Sequence, residues 1–454
     1  MILSLKDRGK LITIEKTTDK IKHQGYLVNI VEKENSQELT IKLLDNGYNI
    51  GVVVDKNTKV EIENEKKNLG KKHKIIIKQN ENLPSISLVS TGGTIGTHVD
   101  YKTGGVNMSR TPEEILSTVP ELLEIVNIKH IIPVAMKGSE DLSYKDWQKI
   151  AESVYEQLIK PEIKGIIISH GTDTLTWTGT ALSFMLENIN KPILMVGAQR
   201  SPDRASFDGA MNLICAAQFI KEEIPGIYTV MHGSINDDFC SIIRATKCRK
   251  MHSSRRDAFR AINDFPIAKV YQDGKIDYLK DKRQLIVKPR IQPKLNLSFS
   301  DSVAIVKAYP NSDPKIIEWY IKKGYKGLII EGTGLGHCPT GMGGNDKSFD
   351  KKKSWVPYIK KATEKGMIVV ITTQCLFGRV NGNVYANLRY VQEAGGCYLD
   401  QHDMLPEVAY IKLSIALERF KTREEIIKYL EKNISGEISK KEIPESFDNF
   451  EFKD

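Results

Sequence analysis

The stretch from Gly165 to Met185, GIIISHGTDTLTWTGTALSFM, decides the fold. Ile166, Ile167 and Ile168, between Gly165 and Ser169, form a short β-branched run with no polar face, the pattern of a strand buried on both sides of a sheet. The last part of the stretch spaces its apolar residues as a helix does. Between them, His170-Gly171-Thr172-Asp173-Thr174 falls at the carboxyl end of a strand that feeds a helix, the place where α/β proteins gather their ligands. Thr172 and Asp173 set a hydroxyl and a carboxylate side by side there, and are the candidates for chemistry.

The same design occurs upstream. Ile86 to Ser90 alternates as a short strand, and Thr91-Gly92-Gly93-Thr94-Ile95-Gly96 follows as a second Gly-rich loop holding threonines. Two such loops on one sheet can bring two hydroxyls to one crevice. Either loop alone reads more readily as a tight turn or a helix N-cap. The pair, after two buried strands, shifts that balance.

From Pro84 onward strands alternate with helices. Candidate strands are Ile86 to Ser90, Ile166 to Ser169, Pro192 to Val196, Gly226 to Met231, Val303 to Lys307, Gly327 to Glu331 and Met367 to Thr372, which predicts a parallel sheet. Lys288-Pro289-Arg290-Ile291-Gln292-Pro293 separates a larger α/β domain, 84–290, from a smaller one, 291–435. Pro406 opens a helix carrying Val408, Ile411, Ile415 and Leu417, and Thr422 with Glu425 has the capping-box spacing of another. Residues 436–454 form a polar tail that reads equally as docked or as disordered.

Before Pro84 the pattern differs. Tyr26 to Val31, Leu39 to Leu44 and Ile50 to Val54 are β-rich, and Asp45-Asn46-Gly47 is a hairpin signal, so residues 1–80 read as a small all-β, barrel-like domain with a linker. Residues 61–84 hold six lysines with no arginine or aromatic residue among them, and read as a solvated connector with one short strand, Lys74 to Lys78.

The totals agree with several domains. A chain of 454 residues exceeds what one core normally holds, and 40% hydrophobic with 27% charged residues is ordinary for a globular protein. There is no apolar run of bilayer-spanning length, and MILSLKDRGK lacks the order of a signal peptide, so no membrane partner and a cytoplasmic location are expected. Six cysteines without a CxxC pair or zinc spacing read as reduced thiols and give no metal site. The net charge of +9 is moderate and does not by itself name an anionic partner.

A threonine hydroxyl is a weak nucleophile at neutral pH and needs a base beside it. The best lysines lie in the cation-dense loop 244–260, RATKCRKMHSSRRDAFR, which holds both Lys247 and Lys250. A partly desolvated lysine among cations is a candidate general base. The same loop also reads as a surface anion-binding segment.

The signatures Thr91 to Gly96 and His170 to Thr174, with Gly138-Ser139-Glu140-Asp141 between them and Val196-Gly197-Ala198-Gln199-Arg200 after, resemble those of the bacterial-type L-asparaginase family from about Pro84 to Asn433. The resemblance implies an asparaginase-like two-domain α/β core with a homodimeric assembly. Thr94 would be the nucleophile and Tyr101 the hydroxyl that helps activate it. Thr172, Asp173 and Lys250 would form the second cluster, Lys250 being preferred over Lys247 for its distance to Phe259. Ser139 and Glu140 would hold the α-carboxylate and α-amino ends of the substrate, with Asp173 sharing the ammonium group. No metal or cofactor is needed in this chain.

The added all-β domain and the segments HGTDTLTWT and RKMHSSRRDAF extend the resemblance, over essentially the whole chain, to the glutaminase subunits of archaeal tRNA-dependent amidotransferases. This implies glutamine or asparagine as amide donor, and ammonia passed to a second amidotransferase subunit in a heterodimer or heterotetramer. That partner would use ATP and Mg and supply most of the contact with Glu-tRNA(Gln). A free-standing cytoplasmic L-asparaginase with an accessory β domain is the alternative. An RNA-binding scaffold on an inactive hydrolase fold is a third reading, opposed by the intact Thr94, Thr172, Asp173 and Lys250.

Overall fold

The structure, a computed structural model, describes residues 3–16, 21–44, 49–63, 80–93, 97–99, 106–108, 119–202, 204, 206–285, 291–341 and 348–448. The first five strands are β1 (Leu11–Lys16), β2 (Lys22–Lys33), β3 (Ser36–Leu43), β4 (Asn49–Val54) and β5 (Thr58–Glu63). They form one antiparallel sheet in the order β4-β3-β2-β1-β5. Alternate residues such as Ile12, Ile14, Leu27, Leu39, Ile41 and Val60 close a separate small core. The expected barrel is corrected here. β5 pairs beside β1 and leaves β4 at the far edge, and among the described residues no pairing joins β4 to β5, so the domain is an open sheet. The hairpin signal Asp45 to Gly47 and the strand expected at Lys74 to Lys78 lie outside the described residues, although β3 and β4 are antiparallel neighbours.

The large sheet begins with β6 (Ser85–Ser90), β7 (Asn127–Pro133), helix α1 (Tyr144–Leu158), β8 (Gly165–Ser169), α2 (Leu175–Met185), β9 (Pro192–Val196), α3 (Gly209–Ile220) and β10 (Gly226–His232). Strands run β7-β6-β8-β9-β10 and all are parallel. The three isoleucines of β8 serve both faces. Ile166 and Ile168 join α1 and α2 in one core, while Ile167 joins α3 in the other. The chain leaves β6 for β7 on one side and returns to β8 on the other, so the switch point of the sheet, where ligands collect, lies between β6 and β8. Register levels the strand ends there: Ser90 is opposite Pro133 and Ser169, and Ser169 is opposite Val196.

The parallel expectation holds for this block and for the sheet of the second α/β unit, but the edge beyond β10 departs from it. β11 (Cys240–Arg244) runs antiparallel to β10, a hairpin of β12 (Cys248–Lys250) and β13 (Phe259–Ala261) folds off it, and β14 (Ala268–Val270) and β15 (Ile276–Tyr278) extend the antiparallel edge. Residues 294–299 still pack on the first unit: Asn296 N donates to Met185 O, and Phe299 stacks on Tyr144 at 5.3 Å. A second, parallel sheet follows, with β16 (Val303–Lys307), β17 (Gly327–Gly332) and β18 (Ile368–Thr373). Helix α4 (Pro406–Arg419) lies between this sheet and α2, which is why it buries Val408, Ile411, Leu413 and Ile415 at once. Helix α5 (Arg423–Glu431) begins on the expected capping box, with Glu425 N donating to Thr422 Oγ1 at 3.2 Å. The tail after it carries one more short helix, Pro444–Asp448.

Candidate active site

Three loops meet at the level strand ends, and glycines let them touch. Thr91 follows β6, and its N–H and hydroxyl both donate to Ser169 O at 3.0 Å, stitching β6 to β8. Gly92 and Gly93 have φ of +91° and +79°, conformations that favour glycine. A Cβ on Gly93 would stand 2.3 Å from Gly171 N, and one on Gly171 would stand 2.7 Å from Ser139 Cβ. The loops after β6, β7 and β8 are thus in backbone contact. Ser139 is buried, and its carbonyl and Oγ accept from the Thr174 hydroxyl at 2.6 Å and the Thr174 N–H at 3.4 Å. Glu140 is exposed, with its carboxylate turned back over Gly138. Thr94 and Tyr101 lie outside the described residues; Gly93, the residue before Thr94, is seated on Gly171.

The β12–β13 hairpin supplies the lysine. Lys250 stands opposite Phe259 in its register, and its Nζ lies 2.9 Å from Thr172 Oγ1 and 2.6 Å from Asp173 Oδ1. The Lys250 side chain is 13% exposed against 64% for Asp173, and Thr172 is buried, so the trio opens to solvent through its carboxylate. Hydroxyl, amine and carboxylate at hydrogen-bond distance are an arrangement able to pass a proton, with the amine as acceptor and the carboxylate orienting it. Lys247, three residues earlier, points elsewhere: it is buried and paired with Asp403 at 2.8 Å.

Three arginines that follow in the same segment pair with carboxylates. Arg255 forks onto Asp257 at 2.8 and 2.9 Å, Arg260 reaches Asp257 at 2.6 Å, and Arg256 reaches Asp237 at 2.7 Å. Burial pushes the Asp257 carboxyl up, but the two guanidiniums outweigh it and hold it below the usual carboxylate range. Asp257 within the segment and Asp237 outside it thus brace three of its arginines around the hairpin.

His170 belongs to the scaffold. Its Nδ1–H donates to Gly171 O at 2.7 Å and its Nε2 accepts from the Thr178 hydroxyl at 2.8 Å, which fixes the neutral tautomer. Burial holds it at about 4. The sequence reading missed a second support, Asp208, whose buried carboxylate accepts from Gln199 N at 3.0 Å and Arg200 N at 2.9 Å. Burial pushes Asp208 above its ordinary value. Asn212, one turn on, donates to Gly197 O at 3.0 Å. Together they hold the Gly197 turn against Thr172. An aspartate just before an apolar helix at Gly209 was the available signal.

A cleft of about 800 Å³ lies at the other end of the sheet, against Pro225 and Gly226 where β10 begins, away from the trio. Among the described residues there is no group of three or more His, Cys, Asp or Glu placed to hold a metal ion, and no helix is long and apolar enough to cross a membrane.

Fold and site together define an asparaginase-type amidohydrolase, and comparison with known proteins agrees: the family "Asparaginase, N-terminal" matches residues 85–284 and "Glutaminase/Asparaginase C-terminal domain" matches 302–430. The L-asparaginase of Thermococcus kodakarensis superposes with a TM-score of 0.67 at 26% identity, covering 79% of this chain and 100% of that one. Two relatives, each named as the D-type component of a glutamyl-tRNA(Gln) amidotransferase, reach further. The one from Thermococcus kodakarensis is 42% identical over 95% of this chain and 94% of its own length, and the one from Pyrococcus furiosus is 41% identical over 97% and 96%. The chain belongs to this D-type family of glutamyl-tRNA(Gln) amidotransferase components.

Proposed function

We propose that this chain is the ammonia-releasing subunit of a cytoplasmic tRNA-dependent amidotransferase, cleaving the side-chain amide of glutamine for a partner subunit that amidates Glu-tRNA(Gln) with ATP and Mg. The observation that carries the reading is the Lys250–Thr172–Asp173 constellation, with Lys250 Nζ 2.9 Å from the hydroxyl, at the switch point of an asparaginase-type sheet. Ser139 and Glu140, on the adjoining loop, are suited to the α-carboxylate and α-amino ends of the substrate, and Asp173 shares the ammonium.

Thr94 is the nucleophile of this proposal and Tyr101 assists it. The threonine oxygen bonds to the amide carbon, and its proton passes through the Thr172–Lys250 pair to the departing nitrogen. The C–N bond breaks and ammonia leaves. Water then cleaves the acyl ester, releasing glutamate and restoring the hydroxyl. Backbone N–H groups of the Gly-rich turns are suited to the oxyanion, at about 3 kcal/mol per donor. A group of this kind in general acid–base catalysis contributes on the order of 10²–10⁴-fold. Thr172→Ala and Lys250→Met are therefore expected to lower ammonia release at least about 100-fold in folded protein. Either variant retaining full turnover removes that residue from the mechanism.

The alternative, a free-standing L-asparaginase, is favoured by one observation: a solved asparaginase covers 79% of this chain without needing the remainder. Ammonia release by the full chain from glutamine and from asparagine separates the two. Brisk turnover of either amide by the chain alone supports the free hydrolase. Turnover that appears only with the partner subunit and charged tRNA supports the amidotransferase.

A further inference from the structure

We propose that the buried Lys247–Asp403 ion pair, closed by the backbone of Ser439, is the device that positions Lys250, so that the second α/β unit and the tail set the geometry of a site built on the first. The inference rests on the reading of Lys250 given above and adds Lys247 and Asp403 as positioning residues.

Side chains alternate along a strand, so Lys250 and Arg249 of β12 face opposite ways, and Lys247, the last residue of the 3-10 turn Ala245–Lys247 before β12, reaches toward the same side as Arg249. On its own side Lys250 meets Thr172 and Asp173. On the other, Lys247 Nζ meets Asp403 Oδ2 at 2.8 Å, in the loop just before α4, and Arg249 meets Glu407 at 3.5 Å, in the first turn of α4. The return strand is held as firmly. Lys247 O accepts from Ile262 N at 2.8 Å, and the next residue, Asn263, donates to Gly378 O and Asp403 O at 3.3 Å while accepting from Gly378 N at 2.8 Å. The tail closes the cluster: Ser439 N donates to Asp403 Oδ1 at 2.9 Å, and Ser439 Oγ donates to Asn263 O at 3.2 Å. Both roots of the hairpin are thereby fixed to the second unit, and its catalytic face is offered to the first.

Stability alone does not account for such a pair. The Lys247 and Asp403 side chains are 3% and 2% exposed, and burying both charges costs as much as their attraction returns, so apolar residues of similar volume serve equally well for folding. What an ion pair adds is direction. Lys250 is three residues from Lys247, and a displacement of about 1 Å at a catalytic group is enough to lose on the order of 100-fold in rate.

The test uses the full chain with its partner subunit, measuring kcat and KM for glutamine-dependent ammonia release together with Tm. Asp403→Asn keeps an oxygen for Ser439 N–H and removes the charge facing Lys247. Lys247→Met with Asp403→Leu replaces the pair by apolar volume, and decides the matter where the single variant does not fold. The expected result is a fall in kcat of at least tenfold in both, KM within twofold, and partial recovery of kcat in Asp403→Glu. A double variant with wild-type Tm and wild-type kcat overturns the proposal, and so does a double variant that fails to fold, since the pair is then a folding element. Full activity in Lys250→Met would instead remove the reading beneath it, leaving the two failures distinguishable.

Discussion

Gly197 has no side chain to contribute, yet the space above it decides where Thr172 sits. A methyl built there would stand 2.8 Å from Thr172 Cγ2, 3.0 Å from His170 O and 3.3 Å from Leu175 Cδ1. Its backbone is not left-handed, so Gly197→Ala adds a steric push on the Thr172 loop without strain of its own. The expected outcome is a loss of about 10- to 100-fold in kcat with Tm little changed. Unchanged kcat would mean that the loop yields without moving the hydroxyl. Two other residues tie stability to pH. His170 and His402 are fully buried, and burial holds both at about 4. His402 is neutral by geometry, since Nε2–H donates to Ile371 O at 3.0 Å while Nδ1 accepts from Met404 N at 3.1 Å. In the unfolded chain each takes up a proton below about 6.5, whereas the folded protein refuses it down to about 4, so acid favours unfolding across that window. Each histidine should cost about 1.4 kcal/mol per pH unit there. Denaturation between pH 6 and 4.5 checks this: His402→Gln should flatten the slope relative to wild type, and an unaltered slope would show that the ring is not kept neutral.

At the scale of elements, the hairpin and the tail are the parts on which the site depends and the parts sequence showed least clearly. The Thr422–Glu425 box was legible because capping is local, a matter of four consecutive residues. The choice of Lys250 over Lys247 rested on its distance to Phe259 alone, because a 3-10 turn at Ala245–Lys247 interrupts the strand and removes the alternation that would have separated them. Docking of the tail was undecided by sequence. Glu437 stands in a polar stretch, ISGEISKK, that reads equally as docked or as disordered, and its carboxylate accepts from Ile434 N at 3.0 Å and Ser435 N at 2.7 Å and meets Lys412 Nζ at 2.7 Å, with both side chains fully buried. Lys412 in turn donates to Leu430 O and Lys432 O at 2.7 and 2.6 Å, tying α4, the end of α5 and the tail into one knot. Removing one partner of such a pair strands the other's charge. Glu437→Gln should therefore cost about 3–5 kcal/mol in chemical denaturation. A change below about 1 kcal/mol would show that water reaches Lys412 when the tail loosens.

For the molecule as a whole, the seven strands expected after Pro84 all form, because a buried strand is written as a continuous apolar run that few other structures tolerate. The antiparallel edge at β11, β14 and β15 went unread since its strands are three to five residues long and lie among polar turns, too short for a period to emerge. The all-β domain was legible as strands but not as an open sheet, since closure depends on which edges meet rather than on any one strand's pattern. That sheet also decides how far the chain can be divided. Its core of Leu3, Ile12, Ile14, Leu27, Leu39, Ile41, Val52, Val54 and Val60 shares no member with the other three, whereas the core around α2 and α4 draws on both later sheets. An asparaginase that this chain matches over 79% of its length folds with no counterpart of the remainder. Removing residues 1–79 should accordingly leave the two α/β units folded, with the Tm of their transition within about 3 °C of that in the full chain, a shift equivalent to about 1 kcal/mol. Ammonia release should persist in the truncated protein if the site is complete within the later units. Aggregation of the truncated chain would show instead that the sheet covers apolar surface the hydrolase cannot expose. Retained Tm with lost turnover would assign the sheet a part in assembling the active complex rather than in folding.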